Sequence, residues 1–460
     1  MSGHDAVHRA TSRLSAAQVS RRSLLFGGLA AASAPLLLSG CSNRASTSGE
    51  PLQFWNFYAP STQTAPELKA QNDWFMKAIA DWNGQHPEQV EAVFIPAYTD
   101  PTNTRLATAF ASGSGPDIFL ISPGDFSRYY NGGALEDLRP YMTQEAVDDY
   151  TEGSLATRSV DGKIYALPME NEPLAMYYSP RAWEAAGLSE GDIPTTWEQM
   201  FDVAEKLTTP TQSGVVFETI PGYYQNFTWY PWMWQGGGEV VDPRTQRAAF
   251  DSEGAIQALE LFGEATRRRL APRTMPAAGD LVGAFTEGFA AMWQSGIWQV
   301  ANFRGNAPDF DYGVFPLPTP PGGETRTVLG GWAFAVNARG RNPEAAARFV
   351  VETVGSTSDA SVDRLTEWAA VAKSDMPTRI SVDKRMRETG AYDDPKMAYF
   401  RDVIFDTGRG EPRYPPVLYK AVSNAIQSVQ SAGGDAADQA AIAHSAIEAY
   451  LTTYEGAPLL

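Results

Sequence analysis

The sequence predicts an α/β protein built from more than one lobe, and three observations carry that expectation. The chain has 460 residues, more than one hydrophobic core accommodates, so two or three lobes are expected. Strand-like runs alternate with helix-like runs, and the run at 117–121 (DIFLI) is almost wholly apolar, as a strand buried on both faces of a parallel sheet has to be. Proline-flanked kinks interrupt apolar runs at 168–173 and again at 315–321, where a chain passing between lobes would turn.

Residues 51–58 (PLQFWNFY) read as a β run with an aromatic end. Trp74, Ile79 and Trp82 among polar residues predict a helix over 68–85, and Val90, Val93 and Ile95 a strand within 87–98. A short helix over 104–111 turns at 113–116 into the DIFLI strand. Runs at 162–168 (GKIYALP) and 174–178 flank the first kink. Thr195 or Thr196 caps a helix that runs to Leu207. Residues 223–238 (YYQNFTWYPWMWQGGG) have the most unusual composition, with seven aromatics in the first twelve positions. A helix is expected over 250–270, its basic Arg267, Arg268 and Arg269 suiting a C-terminal end. In 285–300 (FTEGFAAMWQSGIWQV), Phe285, Phe289 and Met292 stand at i, i+4 and i+7 on one side of a helix. Ser295 and Gly296 should end that helix and leave Trp298 just beyond the break. A strand runs from 312 into the second kink, another follows the glycine pair at 330–331, and Pro343 opens a helix over 342–354. The remainder, to residue 460, is mainly helical by its alanine spacing.

Hydrophobic content of 43% and charged content of 20% suit a soluble globular body. A net charge of −18 argues against nucleic acid as a partner. Residues 1–40 read as an export signal: Arg21 and Arg22 precede an uncharged Leu/Ala/Gly run, and paired arginines suggest the twin-arginine route. The only cysteine is Cys41, so no disulfide forms within the chain. Residues 41–49 form a small, polar tether. Only His86 and His444 lie beyond the signal, which excludes a His-based metal site. No nucleophile elbow, zinc motif or phosphate loop is present, so the chain reads as a binder rather than an enzyme, with no cofactor.

Several segments together resemble the extracellular solute-binding proteins of family 1, the sugar-type, maltose-binding-protein-like receptors of ABC importers. They are GPDI at 115–118, GALEDL at 133–138, GKIYALP at 162–168, PTTWE at 194–198, the stretch 288–298, and residues 312–318 with Gly330, Gly331 and Trp332. They follow the family's order and rough spacing across about residues 50 to 460. The resemblance implies a two-lobe, type II-like periplasmic-binding-protein fold with hinge crossings and a ligand cleft between lobes. It divides the chain into 50–169 plus 319–365 and 170–318 plus 366–460. It also implies a monomer that captures a sugar and hands it to an ABC permease. LSGC at 38–41 resembles the bacterial lipobox, which implies acylation of Cys41 and attachment to the outer face of the cell membrane.

A sugar presents flat C–H faces and a rim of hydroxyls, so rings, carboxylates and amides should line its site. By the resemblance, Trp298 is the stacking ring, and Glu172 the hinge carboxylate that accepts hydroxyl hydrogen bonds. Tyr224 and Asn226 fall on pocket positions, Asp125 on a pocket carboxylate after the third strand, and Trp55, Asn56 and Tyr58 where the first strand meets the cleft. A second stacking Trp of the family falls near Leu418, where Tyr414 and Tyr419 are the available rings. Gly331 and Trp332 resemble a cleft-edge pair. Composition adds Trp232, Trp234, Gln235 and Gly236, the glycine allowing close backbone approach. Arg379 could clamp a hydroxyl pair or an anion. Two other readings stay open: a glycoside hydrolase using Glu172 and Asp125, and a binder of glycerophosphodiesters through Arg379 or of polyamines through Glu170, Glu172 and Asp125.

Overall fold

A computed structural model describes residues 49–96, 104–151, 153–275 and 281–459. The export signal, Cys41 and nearly all of the tether lie outside those residues. The described strands are β1 (Leu52–Asn56), β2 (Val90–Phe94), β3 (Ile118–Ile121), β4 (Ser159–Val160), β5 (Lys163–Ile164), β6 (Ala166–Pro168), β7 (Glu172–Tyr178), β8 (Ser213–Val216), β9 (Ala290–Gly296), β10 (Gly313–Phe315), β11 (Thr327–Gly330), β12 (Ala333–Val336) and β13 (Gly408–Gly410). They form two main sheets. The first has the order β2-β1-β3-β12-β6, and the second β13-β11-β7-β9-β8 with β10 also on β7. In the first sheet β1 runs parallel to β2 and β3, while β12 runs antiparallel to β3 and β6.

All four residues of β3 are buried, as its unbroken apolar run requires. Phe54 of β1 packs on Phe75 of the Pro66–Asn83 helix and on Phe334 of β12, with ring centroids 5.7 and 5.2 Å away. In the second sheet β7 is buried at every position and pairs antiparallel with β9, β10 and β11. Thr196 caps the Trp197–Leu207 helix in a full capping box with Gln199. The aromatic stretch folds as the helix Tyr223–Gln235, buried over nearly its whole length.

The stretch 285–300 departs from the helix expected of it. The Leu281–Thr286 helix ends first, β9 follows, and a second helix occupies Gln299–Asn306. β9 is seven buried residues paired with β7 on one edge and β8 on the other. Such a short, wholly buried run carries no periodicity, and three apolar residues at helical spacing do not distinguish it from a helix turn. Phe285 and Met292 are buried, but in a helix and a strand rather than on one face.

The return to the first sheet lies later than residue 319. β11 still belongs to the second sheet, and the chain reaches the first only at β12. Residues beyond 366 also stay with the first sheet's layer: Trp368 packs 4.9 Å from Trp74 and 5.1 Å from Tyr58. The chain rejoins the second sheet at β13, which pairs with β11, and its last two helices, Pro416–Gln430 and Ala436–Leu451, pack there against the Glu253–Arg267 helix.

Candidate ligand-binding site

Two crossings between the sheets, at residues 169–173 and 330–332, meet at a buried ionic cluster. Lys373 Nζ donates to Glu170 Oε1 at 2.8 Å and to Glu172, and lies 3.4 Å from Asp375 Oδ2. Glu170 also accepts from the Trp332 backbone N–H at 3.1 Å and from the Trp368 indole. Residue 331 is held at φ +115°, and a Cβ there would stand 2.3 Å from the Glu170 carbonyl oxygen, so only glycine fits. Asn171 exchanges backbone hydrogen bonds with Met376, which ties the Lys373 segment to the first crossing. Burial alone would lower the Lys373 pKa, but Asp375, Glu170 and Glu172 outweigh it and hold it well above its ordinary value. Burial pushes the carboxyls of Glu172 and Asp375 up, against the pull of Lys373. Oxygens of Glu170, Glu172 and Asp375 lie within 4.8 Å of one another, a spacing a cation could use. The Lys373 ammonium already occupies their centre, so the donor set does not suit a metal ion.

One wall of the cleft grows from the second sheet. Gly296 ends β9 opposite Leu174, and the Ile297 N–H bonds to the Pro173 carbonyl at 3.1 Å. That places Trp298 directly beside the crossing that carries Glu172. A Cβ on Gly296 would stand 1.8 Å from the Trp298 ring, so the indole lies across the glycine. Trp298 is half-buried, and the Tyr224 ring centroid lies 6.2 Å away at 57°. Burial, followed by the charge of Glu218, pushes the Tyr224 pKa up. Glu218, just past β8, accepts from the N–H groups of Thr219 and Ile220 at 2.8 and 2.7 Å.

The opposite wall comes from the first sheet. Asp125 sits in the first turn of the Pro123–Asn131 helix rather than in a loop, and burial raises its pKa. A Cβ on Gly124 would stand 1.9 Å from the Tyr223 ring and 2.6 Å from the Tyr419 hydroxyl, so the two walls touch at this glycine. Burial raises the carboxyl of Glu411, beside Tyr223, to about 8. Arg158 donates to the Gly331 carbonyl at 2.7 Å, and burial lowers its pKa to about 10, with Glu411 the foremost group opposing the shift. Tyr58 stacks on Phe75 at 5.1 Å, and Phe57 meets Trp332 edge-on at 4.6 Å.

Glu172, Tyr224, Trp298, Tyr58, Gly331, Trp332 and Asp125 therefore gather around one interlobe region. The other expected residues do not. Asn56 accepts from the Tyr58 and Ala59 N–H groups at 2.9 and 2.7 Å, which makes it the staple of the turn after β1. Trp55 points away from the cluster, into a small core, with Arg105 4.8 Å over its ring. Asn226 donates to the Tyr419 carbonyl at 2.8 Å inside the second lobe. Trp232 is fully buried and donates to Gln294, and Trp234 is buried under Arg409. Gln235 accepts from Trp197 and donates to the Leu317 carbonyl. Gly236 makes room for Gly254 of the next helix, 3.0 Å from where its Cβ would be, rather than for a ligand. Arg379 is fully buried, donating to Asp149 at 2.7 Å and to the Ser356 carbonyl at 2.7 Å, so no ligand anion reaches it. Leu418 is core, and Tyr419 rather than Tyr414 borders the cleft, beside Tyr223 at 5.6 Å.

Sequence reasoning missed Lys373, Asp375, Arg158, Glu411, Glu218 and Tyr223 as site groups. Lys373 meets its partners across 201 and 203 residues of chain, and no local spacing announces such a pairing. A separate cavity of about 700 Å³, bordered by Tyr130, Tyr165, Tyr450 and Tyr454, lies outside the charged cluster.

Residues 65–352 match the family described as bacterial extracellular solute-binding protein, well over half of the chain. The chain belongs to that family. This solute-binding protein is 26% identical over 300 residues to a probable ABC transporter-binding protein of Deinococcus radiodurans, covering 61% of this chain and 68% of that one. It is 24% identical over 376 residues to an arabinooligosaccharide-binding protein of Bacillus subtilis, covering 78% and 81%. It spans 39% of an uncharacterized lipoprotein of Streptomyces antibioticus, against the 81% of the arabinooligosaccharide-binding protein. Its backbone superimposes on an ABC transporter solute-binding protein of Thermotoga lettingae bound with α-D-tagatose, with a TM-score of 0.73 at 21% identity, over 87% of this chain and all of that one. At that identity the match speaks for the fold.

Proposed function

We propose that this solute-binding protein captures a sugar between its two lobes and delivers it to an ABC permease. The observation that carries the reading is the Trp298 indole laid over Gly296, 6.2 Å from Tyr224 and next to the crossing that holds Glu172. Rings cover the C–H face of a sugar, and carboxylates and hydroxyls satisfy its rim. The arabinooligosaccharide binder and the tagatose-bound receptor point to the same class, while a Mycobacterium tuberculosis protein of the same fold is bound with glycerophosphocholine. The first lobe is taken as residues 50–169 with about 333–404, and the second as 172–330 with 408–459.

The charge of the cleft weighs against a phosphodiester. Glu411 and Glu172 lie near Arg158, and Glu170, Glu172 and Asp375 already hold Lys373. The anion site expected at Arg379 lies in the core. Catalysis is not part of the reading, because Glu172 is engaged by Lys373 rather than free to attack or protonate a glycosidic bond. The chain is taken as an exported monomer, held to the outer face of the membrane through acylated Cys41.

A thermal-shift panel tests the ligand class. Neutral mono- and oligosaccharides should raise the melting temperature and be recovered unchanged. Shifts only with glycerophosphodiesters or polyamines would overturn the sugar reading, and hydrolysed oligosaccharide would overturn the reading as a binder.

A further inference from the structure

We propose that Arg413 and the C-terminal segment 454–459 form a latch that holds the two lobes closed and so sets how firmly the cleft retains its ligand. The proposal rests on the capture reading and names the positioning residue that biases it. Arg413 belongs to the second lobe by its chain neighbours, since β13 precedes it and the Pro416–Gln430 helix follows. Its guanidinium is spent elsewhere. Nη1 donates to the Ser159 carbonyl at 2.6 Å and the Ala156 carbonyl at 3.4 Å, both in the first lobe. The guanidinium lies 5.2 Å over the Phe126 ring, and the Arg413 carbonyl accepts from the Ser127 hydroxyl, again from the first lobe. Nε donates to the Pro458 carbonyl at 2.7 Å, which joins the terminal segment to the same assembly.

That segment bridges the lobes by a second route. It leaves the Ala436–Leu451 helix of the second lobe and docks on the end of the first-lobe helix Pro123–Asn131. The Ala457 N–H donates to Asn131 Oδ1 at 2.9 Å, Asn131 Nδ2 donates to the Tyr454 hydroxyl at 3.1 Å, and that hydroxyl donates to the Ala457 carbonyl at 2.8 Å. Ala457 is buried in the small first-lobe core with Phe126 and Tyr129, while Leu459 is buried in the second-lobe core. A Cβ on Gly456 would stand 2.4 Å from Asn131 Nδ2, so the segment docks closely on that side chain.

Bonds between bodies that part on opening exist only in the closed state. They therefore shift the closed fraction, and the apparent affinity follows that fraction. A planar guanidinium with donors in a fixed fork can serve three carbonyls from one position, which a lysine ammonium on a flexible stem does less well.

Small-angle scattering of the ligand-free full chain tests the latch without knowledge of the ligand. Arg413→Ala should give a larger radius of gyration than the unaltered protein, with Arg413→Lys between them. Asn131→Ala, which removes the hydrogen bonds to Tyr454 and Ala457, should shift it in the same direction and keeps the test open if Arg413→Ala fails to fold. Titration with arabinotriose should then weaken by about tenfold in Arg413→Ala, the scale of one or two lost hydrogen bonds. An unchanged radius in folded Arg413→Ala and Asn131→Ala would overturn the latch. A larger radius, with no sugar binding even by the unaltered protein, would keep the latch and sink the sugar reading instead.

Discussion

Replacing Lys373 by methionine should be among the most damaging single changes in the protein. The substitution keeps the apolar stem and removes the ammonium that Glu170, Glu172 and Asp375 share. At an effective dielectric of about 20, opposite unit charges about 3 Å apart attract by about 5 kcal/mol. Three partners do not triple that figure, because burial already raises the carboxyls of Glu172 and Asp375 and part of their charge can be relieved by protonation. Breaking a buried pair by deleting one partner costs about 3–5 kcal/mol, and that is the expected loss at pH 7. The loss has a pH signature. Without Lys373 the carboxyls of Glu172 and Asp375 rise further above their ordinary values, so the folded variant binds protons more tightly than the unfolded chain. Its deficit should therefore be largest at neutral pH and shrink as the pH falls toward 5. Urea unfolding of both proteins at pH 7 and pH 5, followed by circular dichroism, reads both effects. A deficit under about 1 kcal/mol at pH 7, or one that does not shrink at pH 5, would refute the account of the cluster as a charge-balanced hinge pin.

Other expectations concern the walls of the cleft and the N-terminus. Trp298→Ala should weaken sugar binding by roughly tenfold or more, in line with ~1–3 kcal/mol for a hot-spot ring; unchanged affinity by calorimetry in the folded variant would assign Trp298 to the core alone. Glu411 is fully buried with a pKa raised from 4.5 to about 8, so its contribution to stability is present in full below 4.5 and is lost as the pH rises through 8. Glu411→Gln should flatten the fall of melting temperature across that window, and a parallel curve for the two proteins would count against it. Cys41→Ser should release the protein from membranes on fractionation; retention with the membranes would rule out acylation as the anchor.

The parts of the fold that could be read from the chain were those decided locally. β1 and β3 announce themselves through aromatic and unbroken apolar runs, and Thr196 with Gln199 spells its own capping box. β8, β9 and β11 did not, because their short buried runs depend on neighbours far along the chain. The site divided in the same way. Glu172, Tyr224 and Trp298 were expected at the cleft by resemblance alone, and the folded chain brings Tyr224 close to both of the others. Trp232 and Trp234 were candidates because they are aromatic in an aromatic stretch, yet a helix buried nearly all round turns most of its rings into core. Arg379 was a candidate because a free guanidinium suits anions, but its fork is already filled by Asp149 and two carbonyls. The charged cluster around Lys373 needs three distant segments to meet, and only the folded chain shows that they do.

A crystal structure of the protein grown with the sugar that raises its melting temperature most would test the central claim directly. The account predicts sugar density between the two walls, one ring face against the Trp298 indole and hydroxyls within hydrogen-bond distance of Glu172 and Tyr224. Density confined to the groove bordered by Tyr130, Tyr165, Tyr450 and Tyr454, with nothing against Trp298, would contradict it.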